Sequence, residues 1–550
     1  MIRGLIRVSG LFPFLAFGAA AGLPAQQDGP GVFSEILDVR VVNIEAVVTD
    51  RDGVRVSGLG PEDFELKVDG EEIPITYFTE VLGGTAVARG EGSATSGLPS
   101  LQPGEPVETS YLVFIDEFFA IQRDRDRVLD SLAEDLPLLT PGDRIAVVAY
   151  DGRRLEMLSS WTQSAPEVER VLKEAKRRPA KGLQRVLEQR TFRRHLADTR
   201  ALTGGDRFGT INSNLGVEEE RYAEELSSQV ERAVSAAAAT LRGFASPPGR
   251  KVMLLLSGGW PYLPLEFAIG SRDRIFFERG IPAGPELFQP LTDTANRLGY
   301  TLYPVDLPGL DSETGDIEFD RVDSSTNIAD ALGFAREQNI HSSLTHLARE
   351  TGGRALLNAR RLDSLPKVAE DTRSYYWLGF SPPWQGDDQV HDVRIRMRRK
   401  GLKIRTRESF RDLSRSSQIT NMVESAMLFG NSPSALPLDL EFGKPKRAGI
   451  GKVTLPLTIQ FPAKEVVLLP TAEGYAAQLE LRIAAINKEG ERSDIPVGLL
   501  AVQRDEPAAE DLLLSFSTQL KVRKGEHDVV VSIYDPAGGA LLSARKTIHP

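Results

Sequence analysis

Three apolar runs constrain this chain more than any other feature: "YLVFID" ending at Asp116, "RKVMLLLS" ending at Ser257 and "YTLYPVD" ending at Asp306. Each has the length of one strand and no alternation, the mark of a strand buried on both faces of a parallel sheet. Helical patterns lie between them. Val128, Leu129, Leu132 and Leu136 fall on one face of "RDRDRVLDSLAEDLPLL", and Leu226, Val230, Val234, Ala237 and Leu241 on one face of "AEELSSQVERAVSAAAATLRGF". With "DRIAVVAYDG" and "GRALLN" added, the alternation predicts an α/β block over 108–410 built on a doubly wound sheet, with any ligand at the carboxyl edge of its strands.

The flanks read differently. Runs of Val and Ile broken by "DRDG" and "VDGEE" predict a small hairpin-based β-unit over 35–82, followed by a Gly, Ser and Pro-rich linker over 83–107. "HDVRIRMRRKGLKIRTR" reads as a hairpin turning near Gly401, and a polar joint is expected over 411–437. From 438 to 550, alternating strands with turns at "NKEG", "RKGE" and "DPAGG" predict a β-sandwich. A chain of 550 residues is expected to hold about three domains.

The first 25 residues have the pattern of a secretory signal: basic Arg3 and Arg7, a short apolar stretch from Leu11 to Leu23, and "LPA" before two glutamines. Cleavage after Ala25 is expected, giving a secreted or periplasmic protein with no transmembrane segment in the mature chain. The chain has no cysteine, so its stability rests on apolar cores and not on disulfides. Loss of the two signal arginines takes the formal charge from -11 to -13, a balance that argues against nucleic acid as a partner.

The order of these blocks, with the phrases "NIEAVVTDRDGVRVSGLGPEDFELKVDGEEIPI", "LARETGGRAL" and "SYYWLGFSPP", resembles the bacterial von Willebrand factor A-related exported proteins of acidobacterial type, over roughly residues 36–410. That resemblance implies a von Willebrand A-like domain, a Rossmann-type fold used mainly for adhesion and assembly. It also implies a divalent-cation site of Asp-x-Ser-x-Ser after the first strand, a distant Thr and an Asp after the fourth. Here Asp116 matches the first ligand, Phe118 and Ala120 replace both serines, and Gly258 stands where the second acid belongs. A lone carboxylate holds Mg²⁺ weakly, so no metal and no cofactor is expected. The alternative is a rebuilt oxygen site in which Glu117, Asp151 and Asp306 join Asp116.

Enzyme signatures are missing. There is no HExxH, GxSxG or P-loop, and His341 and His346, five residues apart, do not share a helical face. In the acidic loop Asp311 to Ser325, glycine sits at the fifth position and Val322 at the twelfth, which is not a calcium-loop pattern. Arg394, Arg396 and Arg398 put three charges on one strand face, as guarded edge strands do.

One basic feature stands against the acidic background. Lys173 to Arg200, within an insertion spanning 173–225, carries ten Lys and Arg against three acids. Arg177, Arg178, Arg193 and Arg194 are its candidate contacts for a protein or an anionic envelope polymer, the other reading being a solvated helical arm. The expected function is therefore non-enzymatic, an exported interaction or adhesion module. The alternative is a structural or assembly factor of a periplasmic or outer-membrane machine, working through the C-terminal sandwich, and a hydrolase has the least support.

Overall fold

The computed structural model describes residues 42–87, 103–202, 213–245, 247, 249–269, 280–307, 326–358, 363–382, 384–436, 438–472, 474–509 and 511–550. The expected signal segment, most of the expected 83–107 linker and the acidic loop at 311–325 lie outside these residues. The described chain divides between two units, Asp38–Ser414 and one that contains Arg415–Pro550.

In the first unit, β1 (Val42–Thr49) is buried along nearly all of both faces, so it cannot be the outer strand of a hairpin. β2 (Phe64–Val68) and β3 (Tyr77–Leu82) follow, but the strands pairing with β1 come from far downstream. β1 and β3 both pair antiparallel with β9 (Tyr375–Phe380), and β11 (Lys403–Arg405) pairs with the other edge of β1. β10 (Val390–Met397) joins β2 to β12 (Ser409–Arg411) in a second sheet. Ile44, Ala46, Leu66, Phe78, Tyr376, Leu378 and Val393 form the apolar layer between the two sheets. The expected β-unit over 35–82 is thus one half of a two-sheet structure completed by 375–411. The expected hairpin at Gly401 is a corner between its sheets, with β10 in one and β11 in the other.

The α/β block is inserted between those halves. β4 (Thr109–Asp116), α1 (Gln122–Asp135), β5 (Arg144–Tyr150), β6 (Leu155–Thr162), α2 (Ala165–Arg177), α3 (Gly182–Leu202) and α4 (Ser213–Gly243) come first. They are followed by β7 (Arg250–Ser257), α5 (Pro285–Leu298), β8 (Tyr300–Asp306), α6 (Thr326–Glu350) and α7 (Ser364–Thr372). The sheet runs β8-β7-β4-β5-β6, parallel except for β6 at its edge. All eight residues of β4 are buried, because it is the central strand and helices cover both faces. The class is α/β, with separate β sheets on the same chain.

The second unit opens with a helix where a polar joint was expected, α8 (Arg415–Phe429). Ile419, Val423 and Ala426 recur at helical spacing and are fully buried. Beyond it, β13 (Lys452–Pro462), β14 (Gly474–Asn487), β15 (Gly498–Arg504), β16 (Leu513–Arg523), β17 (His527–Tyr534) and β18 (Leu541–Ile548) build two antiparallel sheets around one apolar cluster.

Candidate functional site

Asp116 ends the central strand and is fully buried. Its Oδ1 accepts the backbone N–H of Phe118 at 3.1 Å and of Phe119 at 3.2 Å, the turn a short acidic side chain makes at a strand end. Its Oδ2 accepts the indole Nε1–H of Trp260 at 2.7 Å, and Trp260 is itself fully buried. Loss of water pushes the carboxyl up to about 7, although the Trp260 and backbone donors pull it down. Both oxygens are therefore committed to the protein.

The neighbouring positions close the same edge. A Cβ on Gly258 would stand 2.1 Å from the Phe119 carbonyl oxygen and 2.6 Å from Ala120 Cα, so the strand-end loops touch backbone to backbone. No aspartate fits there without moving one of them. Phe118 packs its ring on Gly152, where a Cβ would fall 2.2 Å from Cδ2, and the Arg185 guanidinium lies 4.5 Å over the ring. Where the resembled family places hydroxyls and a second acid, this chain places aromatic carbon and backbone. The residues present do not fit a divalent cation at this edge.

Nor do the other acids gather around Asp116. Glu117 is 1% exposed and takes Arg178 in a forked pair, Nε to Oε1 at 2.7 Å and Nη2 to Oε2 at 3.1 Å. Burial raises its pKa against the pull of Arg178 and Arg125. Asp151 Oδ1 accepts the N–H groups of Arg153 and Arg154, both at 2.7 Å. Asp306 Oδ2 lies 3.2 Å from His341 Nε2, and this contact outweighs burial to raise the imidazole pKa. Each acid has its own partner, and the rebuilt oxygen site of Asp116, Glu117, Asp151 and Asp306 is not assembled.

Among the described residues the grouping with ligand atoms near enough to share an ion is Asp387, His391 and Asp412, which sequence reading missed. His391 Nδ1 is 2.7 Å from Asp69 Oδ2, and Asp412 Oδ2 accepts the N–H groups of Gln385 and Gly386. Asp387 and His391 are four residues apart, but Asp412 and Asp69 come from other turns, so no local motif announces the group.

The basic insertion divides into structural and exposed charges. Arg125, fully buried on α1, donates to the carbonyls of Lys176 at 3.2 Å and Arg178 at 3.0 Å, holding the end of α2 against α1. Arg178 then reaches both Glu117 and, at 2.6 Å, Glu156. It is a structural clamp and not a free docking residue, a correction the sequence could not supply because Glu117 lies 61 positions away. Arg177 and Arg194 are exposed, as is Arg190, and the Arg193 side chain lies outside the described residues. Phe192 stacks on Tyr222 at 4.2 Å and His195 Nε2 lies 3.2 Å from Glu218, so α3 packs on the first half of α4, whose second half is buried.

No protein-family model and no curated protein matches the sequence. Among solved structures, the pilus adhesin SpaC from Lactobacillus rhamnosus GG is 9% identical, with 90% of this chain and 58% of that one covered, at a TM-score of 0.23. The TFIIH p34 N-terminal domain is 12% identical over 48% of this chain and 97% of its own, at 0.18. A Bacteroides uniformis beta-glucuronidase is 11% identical over 32% of this chain and 19% of its own, at 0.14. Scores this low carry no argument about fold or function, and the site stands on its own geometry.

Proposed function

We propose that the chain is an exported, non-enzymatic capture module whose α/β block is a von Willebrand A-like domain that binds without metal. The strand order β8-β7-β4-β5-β6 with an antiparallel edge strand supports the domain assignment. One contrast carries the functional reading. The carboxyl edge is plugged by the Asp116–Trp260 bond and the Gly258 contact, while Arg177, Arg190 and Arg194 are exposed on the α2–α3 segment. Exposed guanidinium groups suit an acidic protein surface or an anionic envelope polymer, by fork-shaped hydrogen bonds and long-range attraction.

The test is binding of the mature protein to immobilised poly-glutamate and to vesicles rich in phosphatidylglycerol. Reversal of Arg177, Arg190 and Arg194 to Glu is expected to abolish retention on at least one of them, and unchanged retention on both would refute the arm as the contact. The assembly-factor reading draws on exposed Ile450, Leu499 and Leu513 of the C-terminal unit, which are 95%, 64% and 58% accessible. If that surface were the contact, Leu499→Glu with Leu513→Glu would remove partner binding and the arm reversals would not.

A further inference from the structure

The amino edge of the parallel sheet, opposite Asp116, holds a surplus of buried cationic donors. Along β1 and β9 the side chains alternate. Ile44, Ala46, Tyr376 and Leu378 enter the two-sheet core, whereas Glu45, Val47, Tyr375 and Trp377 face the other way. On that side Glu45 Oε2 accepts Thr301 Oγ1–H at 2.7 Å and lies 3.2 Å from Nε of Arg250, the first residue of β7. Arg250, 1% exposed, donates to the Thr372 carbonyl at 3.0 Å and stacks 4.2 Å over the Tyr375 ring. One residue before Thr372, Asp371 takes Arg55 on Oδ1 at 2.6 Å, and Arg405 and the Tyr303 hydroxyl on Oδ2 at 2.5 and 2.7 Å.

Asp371 thus faces Arg55, Arg250 and Arg405, and Glu45 faces Arg250 and Arg407. Two carboxylates do not neutralise four guanidinium groups. Burial first, and then neighbouring guanidinium groups, lower the pKa of Arg55 and of Arg407, whereas Glu45 and Asp371 raise that of Arg250 against its burial. The hydrogen-bond count points the same way. Nη1 of Arg55, Nη2 of Arg250, Nη1 of Arg405, the Tyr375 hydroxyl and the Trp377 indole N–H are buried and have no partner. Unpaired buried donors are costly, and native folds rarely leave several in one junction. Water would satisfy the donors and leave the charge surplus in place. An anion answers both.

We propose that this junction binds one small oxyanion, a phosphate, sulfate or carboxylate group, seated against Arg55, Arg250 and Arg405. The side chains of Arg55 and Arg405 are 31% and 29% exposed, which opens the cluster to solvent on their side. Because Arg405 lies on a strand of the two-sheet structure and Arg250 on the α/β sheet, the anion would tie the two together.

The test is thermal unfolding and titration calorimetry of the mature protein with inorganic phosphate, sulfate, acetate and, at matched ionic strength, chloride. Phosphate or sulfate is expected to raise the midpoint in a saturable way that chloride does not reproduce; a matching effect of acetate would identify a carboxylate as an equal ligand. Arg405→Gln should weaken binding at least tenfold, and Arg405→Lys, which keeps the charge but loses the fork, should weaken it less. The arm variant Arg177→Glu with Arg194→Glu should bind as the wild type does, which separates this site from the arm. Equal response to chloride, or wild-type affinity in both Arg405 variants, would overturn the proposal and leave water as the acceptor.

Discussion

Trp260 donates its indole N–H to Oδ2 of Asp116 across 2.7 Å, from a position 144 residues further along the chain. That bond turns the most prominent acid of the sheet edge inward. Asp116 occupies the place from which a carboxylate of the resembled family would reach a cation, and here it fastens two loops together.

A buried acid with a raised pKa makes stability depend on pH. Unfolded, Asp116 releases its proton near 3.8, and folded it keeps the proton until about 7. Between those values unfolding releases a proton, so stability falls as pH rises, by up to about 1.4 kcal/mol per pH unit. The contribution is fully present below the lower value and gone above the upper one. Asp116→Asn cannot titrate and should flatten this part of the profile in chemical denaturation. A constant difference between wild type and variant from about pH 4 to about pH 7 would contradict the assignment.

Restoring the missing acid should harm the protein. Gly258→Asp places a Cβ 2.1 Å from the Phe119 carbonyl oxygen, a backbone atom with no rotamer to change. Destabilisation of about 3 kcal/mol or more is expected, with no rescue by Mg²⁺ or Mn²⁺. A stable variant whose melting temperature rises with either ion would show that the edge can reopen.

The alternation of apolar runs and helical faces made the α/β class legible, and with it the position of Asp116 at a central strand end. The partners of that residue were not legible, because Trp260 and Gly258 arrive through a crossover of more than a hundred residues. β1 misled for a related reason. "VNIEAVVT" next to "DRDG" has the local signature of a hairpin, and the turn does form, with Thr49 opposite Arg55 and the Val56 N–H on the Val48 carbonyl, yet the strands that pair along β1, β9 and β11, lie more than 300 residues away. The helix over Arg415–Phe429 is a different case, since Ile419, Val423 and Ala426 carried its period in plain sight within a polar segment.

Two adjacent arginines should behave in opposite ways. Arg178→Ala leaves Glu117 buried with Arg125 Nη1 no nearer than 3.7 Å, and breaking such a pair costs about 3–5 kcal/mol. Arg177→Ala changes an exposed side chain and should alter stability by about 0.5 kcal/mol or less. Denaturant midpoints of the two single variants decide it, and equal losses would mean that the clamp is not formed.

The most direct measurement of metal-independent capture by the arm is retention of the protein on poly-glutamate and on phosphatidylglycerol vesicles, with and without EDTA, over a range of salt. Exposed charges lose reach as the Debye length falls from about 10 Å at 0.1 M salt to about 3 Å at 1 M. The account predicts retention that EDTA leaves unchanged, that high salt removes, and that reversal of Arg177, Arg190 and Arg194 abolishes at low salt. Retention abolished by EDTA, or fully kept by the triple variant on both supports, would contradict it.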